Sequence, residues 1–291
     1  MQRLALIRAL GAYLLWGLFP LYFQLISDVP ALEVLAHRIV WALAVLLVIL
    51  LVYRQLSEFG SLLRDRDNML WLSLGALMMA TNWFVYIYAI SNERVLEASL
   101  GYFINPLINI MLATVLLGER LSRNQAIALV LAAIGIGVQL FEAAGLPWIS
   151  LVLALSWGSY SLIKKRMQAP ALTALSAETL VLAPAALGYL MWLQGQGDLV
   201  FGQSVDYNIL LPLAGLVTAL PLLLFGAAAK QLSLITLSFI QYMTPTMIFI
   251  IALALFDEPL SQSKAITFAF IWAGLVFFSL DQWPNKQAQK P

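Results

Sequence analysis

The stretch SLGYFINPLINIMLATVLLGERLS, residues 99–122, is matched 139 residues later by SFIQYMTPTMIFIIALALFDEPLS, residues 238–261. Laid over one another without a gap, they pair Ser99 with Ser238, Pro106 with Pro245, Ala113 with Ala252, Glu119 with Glu258, Leu121 with Leu260 and Ser122 with Ser261. The register continues from Ala126, Ile127 and Gly135 onto Ala265, Ile266 and Gly274. Each copy is an apolar run of about 20 residues, the length that crosses roughly 30 Å of hydrocarbon. Each run is closed by a Glu-x-Leu-Ser turn and followed by a second apolar run. The chain therefore repeats itself in units that read as membrane spans.

Outward from this repeat, apolar runs between polar breaks occur near 8–26, 31–53, 69–90, 95–117, 124–142, 147–163, 171–193, 208–229, 234–256 and 265–281. The fold class expected is an all-α integral membrane protein of ten transmembrane helices, a single membrane domain over 1–291. The first run follows Arg3 and Arg8 but lacks a short apolar core with a small-residue cleavage site, so it reads as a retained span and not a signal peptide. The break Ser27-Asp28-Val29-Pro30 suits a tight turn. The longer link from Arg54 to Asn68 carries Leu56, Phe59, Leu62 and Leu63, which suit a helix lying along the interface.

Composition agrees. Hydrophobic residues make up 62% of the 291 residues and charged residues 11%, with a mean hydropathy of +0.88, where a soluble domain carries roughly a quarter charged residues. Sixteen Lys and Arg against fifteen Asp and Glu give a net charge that predicts neither a nucleic-acid partner nor an acidic substrate. The absence of cysteine and the single histidine, His37, exclude thiolate chemistry and a multi-histidine metal centre. No Gly-x-x-x-x-Gly-Lys motif is present, so ATP is not the direct energy source. No cofactor is expected. The partners expected are the lipid bilayer, a small-molecule substrate and, left open, a second copy of the chain in a homodimer.

Cations beside spans are held on the cytoplasmic side. With the N-terminus inside, the inner segments hold Arg3, Arg8, Arg54, Arg64, Arg66, Arg120, Arg123, Lys164, Lys165, Arg166, Lys230, Lys286 and Lys290, and the outer ones only Arg94 and Lys264. Both termini are then cytoplasmic, and the polar tail 284–291 reads as disordered. Five spans per copy is odd, so the second copy enters the membrane in the opposite sense. The halves 8–142 and 147–281 become inverted repeats, an architecture that transporters use to open a midplane site to each side in turn.

Polar residues within spans mark where such a site lies, because hydrocarbon cannot satisfy them. The fourth span carries Ser99, Tyr102, Asn105 and Asn109 on one face, and the ninth carries Ser238, Gln241 and Thr244 at the first three equivalent positions. Pro106 and Pro245 each free a carbonyl on these stripes. Two readings stand: the stripes line a pathway, or they hydrogen-bond helix to helix.

Arg38 lies about seven residues into the second span, roughly 10 Å deep. Its counterpart by a shift of 140, Glu178, lies about as deep from the other side. Their depths differ by roughly 10 Å, so each is expected to find a local partner, rings or carbonyls for Arg38 and hydroxyls for Glu178. Structural pairing and substrate or proton handling are both open for them. Glu33 and His37, one turn apart, are the candidates for proton coupling, with an interfacial hydrogen bond as the alternative. Glu93, Arg94 and Glu97 read as a solvated rim.

Trp16 and Trp157 sit well inside their spans and are repeat-related by a small shift of register. With Trp83, Tyr86 and Tyr88 they offer flat walls to an aromatic or cationic substrate; interfacial anchoring is the competing reading. The expected substrate-contacting set is Trp16, Arg38, Asn82, Tyr86, Tyr102, Asn105, Asn109, Trp157, Glu178, Gln241 and Thr244.

The Trp16-Gly17 pair, the Pro106-to-Glu119 stretch with its Leu-Gly-Glu ending, and its second copy Pro245 to Glu258 resemble the EamA-type drug/metabolite transporter superfamily. The segments Trp16-Gly-Leu-Phe-Pro-Leu-Tyr, His37-Arg-Ile-Val-Trp, Asn82-Trp and Gly101-Tyr-Phe-Ile-Asn-Pro-Leu resemble its RarD subgroup. The resemblance covers essentially the whole chain. It implies a bacterial inner-membrane secondary carrier, commonly an exporter of metabolites or drugs. The alternatives are a channel, for which no repeated ring of filter charges is present, and a membrane-embedded lipid-modifying enzyme, for which no carboxylate or histidine cluster is present.

Overall fold

The computed structural model describes residues 2–92, 94–142, 148–255 and 262–282, and the regular structure among them is entirely helical. Thirteen helices follow in order: α1 (Gln2–Gly17), α2 (Phe19–Gln24), α3 (Ala31–Val52), α4 (Leu56–Arg64), α5 (Arg66–Ser91), α6 (Val95–Leu116), α7 (Arg123–Glu142), α8 (Trp148–Arg166), α9 (Ala171–Gln196), α10 (Val205–Ala229), α11 (Leu234–Gln241), α12 (Met243–Leu255) and α13 (Gln262–Gln282). Glu93, Glu258, Leu260, Ser261 and the tail 284–291 lie outside the described residues, as do the side chains of Glu97 and Ser99.

Among the described residues, seven helical segments are long and apolar enough to cross a membrane: Arg3–Gln24, Ala31–Val52, Arg66–Tyr86, Ala171–Gln196, Val205–Ala229, Leu234–Leu255 and Gln262–Leu280. The sequence pattern suggests ten. The three further runs correspond to α6 and α7, whose helices span 22 and 20 residues and whose described side chains give apolar stretches over Leu100–Leu116 and Arg123–Val138, and to α8. The last packs against α5 and α6 and buries Ser150, Ser156, Ser161 and Lys164. A helix surrounded by protein can carry polar groups that a lipid-facing one cannot.

Two of the runs read as single spans are broken. The first stops at Gly17 and resumes as α2 with Pro20 near its start; the ninth stops at Gln241 and resumes as α12, which contains Pro245. Proline supplies no N–H and fits a helix best at its beginning. Pro106, by contrast, sits inside an unbroken α6. The link expected along the interface forms α4, but Phe59 and Leu62 turn inward into a cluster with Leu50, Leu72 and Ala174; only Leu56 of that set is well exposed.

Helix ends are satisfied by side chains. Ser122 and Gln125 exchange bonds across the start of α7 (3.2 and 3.1 Å), the reciprocal capping box. Asp65 accepts from Asp67 and Asn68 at the start of α5, and the N–H groups of Asn68 hold its carboxyl below the usual carboxylate range. Glu119 reaches across the molecule: its two oxygens accept the Leu234 and Ile235 amides at 2.9 and 3.0 Å, placing a carboxylate on the positive end of α11. Glu119→Ala should therefore lower stability by about 1–2 kcal/mol, read from unfolding in mixed micelles, and Glu119→Gln by less. An unchanged midpoint for Glu119→Ala would remove the cap from the account.

Packing is dominated by the pairs α7 with α13, α6 with α8, α3 with α10, α3 with α9, α5 with α8 and α1 with α10, followed by α1 with α12 and α5 with α9. The α7–α13 contact is close because both helices present glycine. A Cβ on Gly135 would lie 3.0 Å from the Thr267 carbonyl oxygen, and one on Gly274 would lie 3.0 Å from that of Ala128. Gly135 and Gly274, and Ala128 and Thr267, are each 139 residues apart.

Candidate functional site

The broken helices α1–α2 and α11–α12, with α3, α5, α6 and α8, surround a cavity of about 430 Å³. Nine of the eleven residues expected to contact substrate line it: Trp16, Arg38, Asn82, Tyr86, Tyr102, Asn105, Trp157, Gln241 and Thr244. Asn109 and Glu178 do not; Asn109 sits behind the wall, where its Nδ2 donates to Gln241 Oε1 at 3.1 Å. One end of the cavity is formed by Phe23, Ile26, Ser27, Val29 and Ala31, around the link between α2 and α3.

Its polar groups divide into those already engaged and those left free. Asn82 donates to the Leu153 carbonyl (2.9 Å) and the Ser156 hydroxyl (3.1 Å), fixing α5 on α8. Thr244 donates to the Tyr13 carbonyl at 2.8 Å, where Gly17 and Met247 also meet. The Thr244 bond, like that of Asn109 to Gln241, is a helix-to-helix bond of the kind that the alternative reading of the stripes foresees. The Asn105 Oδ1, the Tyr13 hydroxyl and the Trp157 Nε1, all buried, have no partner among the described residues. Lone polar atoms in a buried wall are rare unless something meets them.

Arg38 is held by aromatic faces. Its guanidinium carbon lies 4.9 Å from the Trp83 ring centroid, 5.4 Å from Phe23 and 5.9 Å from Phe19, and its Nε donates to Thr218 Oγ1 at 3.0 Å. This is the local aromatic environment that its depth suggests. Aromatic rings close one side of the cavity: Trp16 and Trp157 meet edge to face at 5.2 Å, and both touch Phe225 (5.8 and 5.4 Å). Tyr86 and Tyr102 pack edge to face at 5.9 Å. Tyr88 lies elsewhere, 5.7 Å from Trp148.

Behind Trp157, Tyr160 donates to Glu178 Oε2 at 3.2 Å, and Lys164 Nζ stands 2.7 Å from the same oxygen with both side chains buried. The hydroxyl partner agrees with expectation. The lysine does not: sequence position puts Lys164 with the solvated cations of a cytoplasmic link, whereas α8 continues through Arg166 and turns it inward. Its neighbours differ again, Arg166 donating to the Leu116 carbonyl at 2.7 Å and Lys165 to that of Leu232. The Lys-Lys-Arg run concealed this, because only the helix's continuation separates the three directions; Glu178, about two turns into α9, was the available hint.

Glu33 and His37 stand 3.7 Å apart. Glu33 Oε1 accepts the backbone amides of Val200 and Phe201 at 2.9 and 3.1 Å, and His37 Nδ1 accepts from Trp41 at 3.2 Å. The pair therefore ties α3 to the link between α9 and α10, and neither residue lines the cavity.

The EamA-like transporter family pattern matches residues 3–141. The RarD protein of Escherichia coli K12 is 42% identical over 280 residues, covering 96% of this chain and 95% of that one. The chain belongs to the EamA-like transporter family, in its RarD subgroup. Among other relatives of this EamA-like protein, the uncharacterized transporter YojE of Bacillus subtilis is 42% identical over 283 residues, 96% of this chain and 94% of that one. The chloramphenicol-sensitive protein RarD of Pseudomonas aeruginosa is 31% identical over 288 residues, 97% and 96%. A crystal structure 20% identical in sequence has the same fold, with a TM-score of 0.73 over 95% of this chain and 97% of that one. The EamA-like chain is thus a multi-pass membrane protein of a transporter family.

Proposed function

We propose that this chain is a secondary transporter that moves a small metabolite or drug, in the efflux direction, by alternating access. Its ten spans form two inverted five-helix repeats in a bacterial inner membrane, with both termini cytoplasmic. The observation that carries the reading is the cavity of about 430 Å³ walled by helices of both halves, where Tyr102 and Gln241, and Asn105 and Thr244, stand at repeat-matched positions. Exchanging the halves turns the contact of α6 with α8 into that of α12 with α1, and α5 with α8 into α10 with α1. The pairs α3 with α9 and α7 with α13 map onto themselves. The Tyr242 hydroxyl faces the carbonyl of Phe103, its own counterpart 139 residues away, at 3.5 Å, as residues beside a two-fold axis do.

The two ends of the molecule also differ. Glu33 on the Val200 and Phe201 amides joins the halves at the outer end, and Glu119 on α11 with Arg166 on the Leu116 carbonyl joins them at the end that the cation distribution makes cytoplasmic. The cavity extends from the opposite end. A cavity that approaches one end only suits one state of a carrier closed to the inside. Proton coupling through Glu33 and His37 belongs to the same proposal.

Comparing metabolites exported and retained by cells with and without the protein supplies the substrate. Counterflow of that labelled compound in proteoliposomes then tests the carrier. Saturable counterflow is expected; conductance without saturation would favour a channel, and chemical conversion an enzyme. Asn105→Ala and Gln241→Ala should each reduce counterflow roughly tenfold or more, about 1.4 kcal/mol, while leaving insertion and detergent-extracted monodispersity unchanged. Loss of folded protein would assign those residues to structure instead.

A further inference from the structure

Charge, not shape, says most about the cargo. Among the described residues the Arg38 guanidinium makes a single hydrogen bond, from Nε to Thr218, and no carboxylate pairs with it. Its two terminal nitrogens keep up to four N–H donors in a fixed planar fork, at a cavity wall that holds no Asp or Glu among its described lining residues. An unpaired cation within a membrane protein is costly and marks function by default. Here three rings orient it, and Thr218 sets its roll.

The faces of Trp83, Phe23 and Phe19 that would attract a cationic substrate are already occupied by Arg38. A second cation entering the same space meets like charge with no counter-ion. An anion meets the reverse: the free guanidinium fork, plus two further unpartnered donors in the wall, the Tyr13 hydroxyl and Trp157 Nε1. One acceptor, Asn105 Oδ1, also waits for a donor. A single positive charge balances a monoanion; a phosphate monoester, carrying close to two negative charges, would leave one uncompensated. A carboxylate also matches the guanidinium fork in a bidentate fashion. The remaining wall, from Trp16, Tyr86 and Tyr102, is flat and apolar.

Resting on the carrier reading above, we propose that the cargo is a small organic monoanion, a carboxylate on a flat apolar body, whose carboxylate docks on Arg38 and whose donor group meets Asn105.

The test uses the full chain in lipid nanodiscs, with binding read by tryptophan fluorescence and by thermal stabilisation. The probes are matched sets: 4-hydroxybenzoate with 4-hydroxybenzamide, cinnamate with cinnamamide, and phenylacetate with phenylacetamide and phenethylammonium. At least one carboxylate should bind roughly tenfold or more tightly than its amide, with phenethylammonium weakest, the margin expected of a charge-assisted bond. Arg38→Gln should abolish that preference and Arg38→Lys should retain part of it. Should Arg38→Gln fail to fold, the wild-type ranking decides alone. Equal binding of amide and carboxylate, preferred binding of the cation, no carboxylate binding, or a preference that survives Arg38→Gln would each overturn the proposal. Counterflow of the same probes separates the two readings: a carboxylate that binds Arg38 but never exchanges leaves the anion site standing and removes the carrier. Counterflow confined to amides or cations does the opposite.

Discussion

Lys164→Met should lower the stability of the folded protein by about 3–5 kcal/mol, the penalty for leaving one charge of a buried pair without its partner. Lys164 and Glu178 meet at 2.7 Å with side-chain exposures of 3% and 0%. The only other partner of the Glu178 carboxylate is the Tyr160 hydroxyl on Oε2, while Oε1 has none among the described residues. Gly75 lies against that oxygen, so that a Cβ there would stand 3.0 Å from it, and no water-sized gap separates them. Removing both charges is a different matter, because desolvation of the pair offsets much of its attraction. Lys164→Met with Glu178→Leu should therefore regain most of the stability lost in the single variant. Unfolding in mixed micelles, followed by tryptophan emission, measures all three. A single variant within 1 kcal/mol of the parent, or a double variant no better than the single, would show that the pair is solvated in the protein as it exists.

Gly215→Ala is the second substitution with a large expected effect. The added Cβ would stand 2.3 Å from the carbonyl carbon of Trp41, 2.5 Å from its Cβ and 2.6 Å from the Ala42 nitrogen. Two of these atoms are backbone, so no side chain can swing aside; α3 and α10 must separate. Overpacking of this kind costs about 1–3 kcal/mol and occasionally more. Gly137, where a Cβ would meet nothing, is the control, and Gly137→Ala should leave stability unchanged or slightly raised. The same crossing holds the Arg38–Thr218 bond, because Arg38 lies three residues before Trp41 and Thr218 three after Gly215. Gly215→Ala should accordingly impair transport more than its loss of stability accounts for. Counterflow per folded molecule equal to the parent would show that α3 and α10 accommodate the methyl group without moving the guanidinium.

Hydropathy and the 139-residue repeat reach far into this molecule. They locate the helices, the matched stripes and nine of the residues that wall the cavity, because a polar atom in a hydrocarbon-length run has few places to go. They do not reach Lys164. A cation at the end of a span reads as interfacial whichever way it points, and its direction depends on where α9 packs. Neither do they distinguish Asn82, which spends its amide on α8, from Asn105, whose Oδ1 is left free. Both are amides at similar depth, and only the neighbour decides. The breaks at Leu18 and Tyr242 were marked by Pro20 and Pro245, yet Pro106 carries the same mark and α6 runs straight through it. Proline permits a break; the packing of α6 against α8 withholds it.

The partners of Arg38 and Glu178 also bear on how the chain is made. The rings that shelter Arg38 belong to α2 and α5, on either side of it in the chain. They are synthesised long before Thr218, so the guanidinium has aromatic company in the membrane while α10 is still on the ribosome. Glu178 emerges only after Lys164 and Tyr160, which precede it by 14 and 18 residues in the sequence. Neither charge has to wait in lipid for a helix from the far end of the chain, and the order of translation is itself a safeguard against stranding them.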